Sequence, residues 1–179
     1  MYREKLFATL MIVSHKYKFI FIKTRKTAGT TIMFNLSKYL GKDDITSISD
    51  SYPSQNYIYQ TKFSKFLSNL NLKRLSKKFN KTIEPHIHAN QVKNIVGHEI
   101  FKDYFKFCVE REPVDKSISY YFMRKNAHDS SSKRKNMTWD NFVKKKRFPV
   151  DTNFYTEKNE LIVDKIIKYE NLSEELSLT

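Results

Sequence analysis

The sequence predicts an α/β fold, a single domain over residues 1–179 with a mainly parallel central sheet flanked by helices. Three observations predict it. First, three short runs rich in aromatic and β-branched residues, Tyr17–Lys23, Tyr104–Glu110 and Leu161–Tyr169, have the length and composition of buried strands. Second, each run is followed by a segment with helical character, and strands alternating with helices build parallel sheets. Third, 179 residues with 40% hydrophobic and 15% aromatic content can bury a core without a staple. The one cysteine, Cys108, allows neither an internal disulfide nor a cysteine-built zinc site.

The elements follow in chain order. Leu6–Val13 is apolar but broken by Thr9, too short to cross a bilayer and without a small-residue cleavage site, which predicts a soluble, cytoplasmic chain. Tyr17–Lys23 (YKFIFIK) is the first strand, and Thr24–Thr31 (TRKTAGTT) is a polar turn. Thr31–Leu40 places Ile32, Met33, Leu36, Tyr39 and Leu40 at helical spacing, with Gly41 where a C-cap glycine belongs. Asp43–Tyr59, with Pro53, reads as loop. Lys62–Phe79 reads as an amphipathic helix with a basic outer face, inside the acid-free stretch Ser51–Ile83. Ala89–Val96 and Glu99–Tyr104 read as short helices parted by Gly97. Tyr104–Glu110 (YFKFCVE) is the second strand, with Cys108 as a small core residue. Arg111–Pro113 ends it, and Val114–Lys125 is a helix started by the proline. Ala127–Met137 is a polar loop, and Trp139–Lys146 a short helix with Trp139 in the core. Leu161–Tyr169 is the third strand and Glu170–Leu178 a terminal helical turn.

The formal charge of +14, from 33 Lys+Arg against 19 Asp+Glu, calls for an anionic partner without naming it. Two loops narrow the choice, because ligands of parallel sheets bind at the carboxyl ends of the strands. Thr24–Thr31 leads from a strand into a helix N-terminus, whose free N–H groups and dipole attract an anion. Gly29 permits close backbone approach, Thr27, Thr30 and Thr31 add hydroxyls, and Lys26 adds a point charge. The order of Lys and Gly is not that of a Walker A loop. The second loop, Glu110–Asp115, carries Arg111 at a strand end and Ser119 in the helix beyond, a fork and a hydroxyl suited to a phosphate.

Together these residues resemble the sulfotransferases that use 3′-phosphoadenosine-5′-phosphosulfate (PAPS), in particular the carbohydrate sulfotransferase branch. Phe19–Ile32 (FIFIKTRKTAGTTI) is similar to that family's strand and P-K-T-[GA]-[GS]-T-[ST] loop for the 5′-phosphosulfate. Phe107–Tyr121 (FCVEREPVDKSISYY) is similar to its V-R-[ND]-P-x-[DE]-[RK]-x-x-S-x-Y segment for the 3′-phosphate. Lys16–Lys18, His86–Gly97 and Val163–Leu172 (VDKIIKYENL) extend the resemblance over most of the chain in the same order. The chain departs from the pattern at Lys23, where His is frequent, at Arg25, where Pro is common, and at Glu112, where Asn or Asp is usual.

The resemblance implies a P-loop-like domain that moves the sulfuryl group of PAPS to a hydroxyl acceptor, a carbohydrate that can itself be anionic, without a metal. It implies that Lys26 stabilises the leaving phosphate oxygen. It further implies that Arg25, Lys26, Thr27, Ala28, Gly29, Thr30 and Thr31 cradle the 5′-phosphosulfate, and that Arg111 and Ser119 grip the 3′-phosphate. Of the histidines, His86 ranks first as the base that takes the acceptor proton and His88 second. Two other classes compete. A P-loop nucleotide kinase would need a Walker A lysine and a magnesium-holding acid, and neither is apparent. A basic nucleic-acid binder would account for the charge and the aromatics, but not for the ordered Lys26 and Arg111 loops.

Overall fold

The computed structural model describes residues 11–46, 86–127, 134 and 136–177. The helix expected over Lys62–Phe79 and most of the loop over Asp43–Tyr59 lie outside the described residues, as do Lys133 and Lys135 of the polar loop.

The fold is α/β around a five-stranded sheet in the order β3-β1-β2-β4-β7. Its strands are β1 (Met11–Ser14), β2 (Phe19–Ile22), β3 (Ile45–Thr46), β4 (Phe105–Glu110) and β7 (Lys165–Lys168). β2 pairs parallel with β4, Ile22 opposite Cys108, and β4 pairs parallel with β7, Cys108 opposite Ile166. β1 is antiparallel to both β2 and β3, so the sheet is mixed. The antiparallel side comes from β1, which the tight turn at residues 15–18 folds back onto β2. A separate hairpin joins β5 (Thr156–Glu157) to β6 (Glu160–Leu161) through Lys158 and Asn159, both at positive φ as two-residue hairpin turns require.

Seven helices complete the described elements: α1 (Gly29–Ser37), α2 (Ala89–Val96), α3 (His98–Asp103), α4 (Pro113–Lys125), α5 (Trp139–Lys144), α6 (Thr152–Tyr155) and α7 (Leu172–Ser177). A 3₁₀ turn, Tyr169–Asn171, leads into α7. None of the described helices is long and apolar enough to cross a membrane.

Strand alternation divides the core between the two faces of the sheet. Met11, Val13, Ile20, Ile22 and Cys108 face one cluster with Ile87, Ala89, Val92, Phe101 and Phe154. Ile12, Phe21, Phe107, Val109 and Ile167 face the other with Ile32 and Met33 of α1, and Leu172 and Leu176 of α7 pack against it. Strands buried on both faces read as unbroken apolar runs, which is why Phe19–Ile22 was recognisable and why its helices lie on both sides.

Three local expectations are corrected. Gly41 does not cap α1: the helix ends at Lys38, and the Gly41 N–H instead donates to Asp44 Oδ2 at 2.8 Å. Burial alone would raise the Asp44 carboxyl, but N–H groups of Gly41, Lys16 and His15 and the Ser14 hydroxyl hold it below the usual range. Trp139 is 37% exposed, while Phe142, one turn on, is the buried residue of α5 on which Trp139 stacks. The third strand is short, because Leu161 belongs to the hairpin and only Lys165–Lys168 joins the main sheet.

Candidate active site

The two loops expected to carry the chemistry leave β2 and β4, which are neighbours and parallel. They emerge side by side at the carboxyl ends of these two strands. The Thr24 hydroxyl donates to the Val109 carbonyl across the two strand ends, fastening one loop to the other. Buried Thr27 turns its hydroxyl inward to Thr24, 2.9 Å from Thr24 Oγ1. Thr24 and Thr27 therefore brace the loop from below.

Lys26 and Ala28 both hold left-handed backbone, at φ 61° and 56°. Non-glycine residues there cost about 1–2 kcal/mol each, so the rest of the loop must impose it. Alternating backbone of this kind turns consecutive N–H groups towards one point, a nest for an anion. Helix α1 starts at Gly29 with no side-chain cap, and its first intrahelical bond runs from the Ile32 N–H to the Ala28 carbonyl at 3.0 Å. The N–H groups of Gly29, Thr30 and Thr31 precede that bond and face outward with the helix dipole. Thr30 and Thr31 are exposed.

Lys23, marked in the sequence only by standing where the family has His, is part of this loop. Its side chain lies across Gly29: a Cβ on Gly29 would fall 2.5 Å from Lys23 Cγ and 3.0 Å from Cε. Gly29 is thus required by the lysine stem packed on it, and not by its own φ. The ammonium reaches Thr30 Oγ1 at 2.7 Å. Burial pulls the Lys23 pKa down to about 8.

Arg25 is held away from the loop centre. Its Nε meets Asp151 Oδ1 at 2.5 Å, its backbone N–H donates to Asp151 Oδ2 at 2.6 Å, and its Nη2 donates to the Val150 carbonyl at 2.8 Å. Asp151 is completely buried and also meets Lys116 Nζ of α4 at 2.9 Å. Lys116 in turn bonds Glu110 Oε2, at the end of β4, at 2.7 Å. This chain of charges ties the Thr24–Thr31 loop, the β4 end and α4 into one unit. Lys116 and Asp151 carried no signal in the sequence.

The second loop is organised by Glu112, which caps α4 by accepting from the N–H groups of Val114 at 2.8 Å and Asp115 at 2.9 Å. The same job is done by Asn or Asp elsewhere, so the longer side chain keeps the function. Glu170 Oε1 accepts from the Glu112 N–H at 2.9 Å, and that bond holds the Glu170 carboxyl below its ordinary range. The Arg111 guanidinium lies over the Tyr169 ring, 4.4 Å from the centroid, and its buried Nε has no hydrogen-bond partner. Ser119 is half-buried on α4, six residues and about 9 Å of helix past Pro113. Burial lowers the Lys26 pKa, and the nearby Arg111 charge lowers it further. The Arg111 charge therefore lies near enough to act on Lys26, and no carboxylate among the described residues pairs with Lys26.

The two histidines separate. His86 Nδ1 lies 3.0 Å from the Lys23 carbonyl and His88 Nδ1 lies 2.7 Å from the Asn153 carbonyl. A carbonyl only accepts, so each Nδ1 carries a proton, and the tautomer this selects has its lone pair on Nε2. Both rings pack on Phe154, as does the Arg25 guanidinium. His86 is attached to the Lys23 backbone at the entry to the Thr24–Thr31 loop, whereas His88 precedes α2 and receives its own anchor from α6. Burial lowers the His86 pKa; the bond to the Lys23 carbonyl and the charge of Asp151 oppose this, while the charges of Lys23 and Arg25 add to it. Cys108 is fully buried and burial pushes its thiol up, which suits a core residue and not a nucleophile. No cluster of three or more His, Cys, Asp or Glu residues able to hold a metal occurs among the described residues.

Comparison with known proteins fits this arrangement. An uncharacterized protein of Archaeoglobus fulgidus is 35% identical over 94 residues, which cover 50% of this chain and 75% of that protein. No solved structure matches the chain. The model of the sulfotransferase family matches residues 9–173, a span that holds both loops, both histidines and every strand of the mixed sheet. With that span matched, the chain belongs to the sulfotransferase family.

Proposed function

We propose that this transferase moves the sulfuryl group of PAPS to a hydroxyl of a carbohydrate acceptor. The observation that carries the reading is the pair of cations Lys26 and Arg111, presented by loops from adjacent parallel strands and acting on one another. Two like charges gathered without a carboxylate on Lys26 ask for an anion with charge at both ends. PAPS has a 5′-phosphosulfate and a 3′-phosphate. The outward N–H groups of Gly29, Thr30 and Thr31 suit the first, and the orphan Nε of Arg111 suits the second.

In the transfer, the acceptor oxygen forms a bond to sulfur while the bond from sulfur to the 5′-phosphate oxygen breaks. The bond's electron pair leaves with adenosine 3′,5′-bisphosphate. Lys26 stabilises the charge that grows on the leaving oxygen. His86 Nε2 takes the acceptor proton. The exposed run Lys144–Arg147, which begins at the last residue of α5, would favour an acceptor that is itself anionic.

Two outcomes are expected. Adenosine 3′,5′-bisphosphate should raise the melting temperature more than ADP or AMP at equal concentration, since a ligand selective for the native state stabilises in proportion to its affinity. Arg111→Ala should erase that difference. An equal response of the wild type to ADP would remove the 3′-phosphate assignment. Separately, kcat should rise with pH through a pKa below 6.5 and then level off, because burial favours the neutral, proton-accepting form of His86. His86→Ala should lower kcat by about 10²–10⁴ and abolish that acid limb. If the limb persists in the variant, His86 is not the base.

A further inference from the structure

We propose that Lys23 is a third cation of the donor site, whose ammonium contacts the transferable sulfuryl group itself and not the bisphosphate. This rests on the reading of the donor as PAPS.

The argument begins with where the side chain lies. Lys23 is 7% exposed. Its stem is fixed across Gly29, and its ammonium ends beside the Thr30 hydroxyl at the open start of α1. An ammonium has three N–H donors, and Thr30 Oγ1 takes one of them. No carboxylate among the described residues pairs with Lys23. The charged groups at this corner are His86, whose Nδ1–H bonds the Lys23 carbonyl, Arg25, whose charge acts on His86 in the same direction as that of Lys23, and Asp151, whose charge acts in the opposite direction. Asp151 is already engaged by Arg25 and Lys116.

A buried cation held by one neutral hydroxyl is costly in the empty protein. The depressed pKa of about 8 records that cost. An anion delivered against the start of α1 would remove it. Thr30 already lies in the cradle suited to the 5′-phosphosulfate, so the group nearest the Lys23 ammonium is the sulfuryl end of the donor. Lys26 and Lys23 then divide the work. Lys26, within range of the Arg111 charge, serves the bridging oxygen, while Lys23 serves the sulfuryl oxygens, beside the carbonyl that orients His86. The site so formed neutralises sulfuryl charge at the spot where the acceptor loses its proton.

The sign of the pH effect follows. Lys23 is charged below about pH 8 and loses its charge as pH rises through that value. A role as sulfuryl ligand therefore gives an alkaline limb in kcat/KM, which reports the free enzyme, descending from about pH 8. A role as base would give a rise there instead.

The test uses Lys23→Met, which keeps the stem over Gly29 and removes the charge. Without acceptor, PAPS should stabilise the wild type against heat more than adenosine 3′,5′-bisphosphate does. In Lys23→Met that excess should vanish while the response to the bisphosphate stays unchanged. The kcat/KM for PAPS should fall at least tenfold, and the alkaline limb should disappear. An unchanged PAPS excess, or an unchanged kcat/KM, overturns the proposal. A loss of the bisphosphate response in the variant also overturns it, since the contact would then be with the phosphates. If the wild type itself gains nothing from either nucleotide, the PAPS reading fails, not the role of Lys23 alone.

Discussion

Lys26→Ala is expected to lower kcat by about 10²–10³ or more with little change in the melting temperature. The first half follows from the position of the ammonium. It projects from a loop that presents N–H groups in one direction, and a preorganised charge at a leaving oxygen contributes about 10²–10³ in rate by itself. The second half follows from what Lys26 does not do. No carboxylate among the described residues pairs with it, and the Arg111 charge opposes its own. Its φ of 61° is as unfavourable for alanine as for lysine, so the substitution leaves the backbone cost in place. Lys26→Gly provides the control. Glycine relaxes the left-handed residue by about 1 kcal/mol and also lacks the ammonium. Both variants should be equally inactive in a sulfuryl-transfer assay, although the glycine variant melts later. Retained transfer in either would remove Lys26 from the mechanism.

The readable part of this site is the part that is local in sequence. A strand run, a turn of small residues and a helix within fourteen positions, Phe19–Ile32, give a loop with a defined direction. The same holds for Phe107–Tyr121, where Pro113 marks the first turn of a helix. What was not readable depends on partners far along the chain. Asp151 meets Arg25 across 126 residues, and neither carries a local pattern that names the other. Lys116 sits in a helix whose basic residues look solvated until packing shows it buried. Lys23 looked like a neutral departure from a pattern, and only the close approach of Gly29 explains why both residues are what they are. β1 escaped for a different reason: Met11–Ser14 is four residues long and merges into the preceding apolar run, so no period separates it. That strand supplies the antiparallel half of the sheet, on the side away from β4 and its loop.

Asp151→Ala is expected to cost about 3–5 kcal/mol of folding stability and to disable transfer as a consequence of loop disorder. Asp151 has no exposed side-chain surface, and its two oxygens receive the Arg25 N–H, the Arg25 Nε and Lys116 Nζ. Removing it leaves the buried Lys116 ammonium with Glu110 alone and leaves the Arg25 N–H without its acceptor. Breaking a buried pair from one side typically costs about that much, because the surviving charge stays out of water. Urea denaturation should show a lower midpoint at an unchanged slope, the sign of lost stability without a changed denatured state. Asp151→Asn keeps an acceptor for the Arg25 N–H but not the charge, and should fall between the two. The pair Asp151→Leu with Lys116→Met distinguishes a fold requirement from a loop requirement. Replacing both charges by apolar groups should recover much of the stability, since neither ion then lacks a partner. It should not recover transfer, because Arg25 has still lost the contact that sets the entry to the Thr24–Thr31 loop. Recovery of both would make Asp151 a packing residue; a loss below about 1 kcal/mol in Asp151→Ala would mean the charge chain does not hold the two loops together.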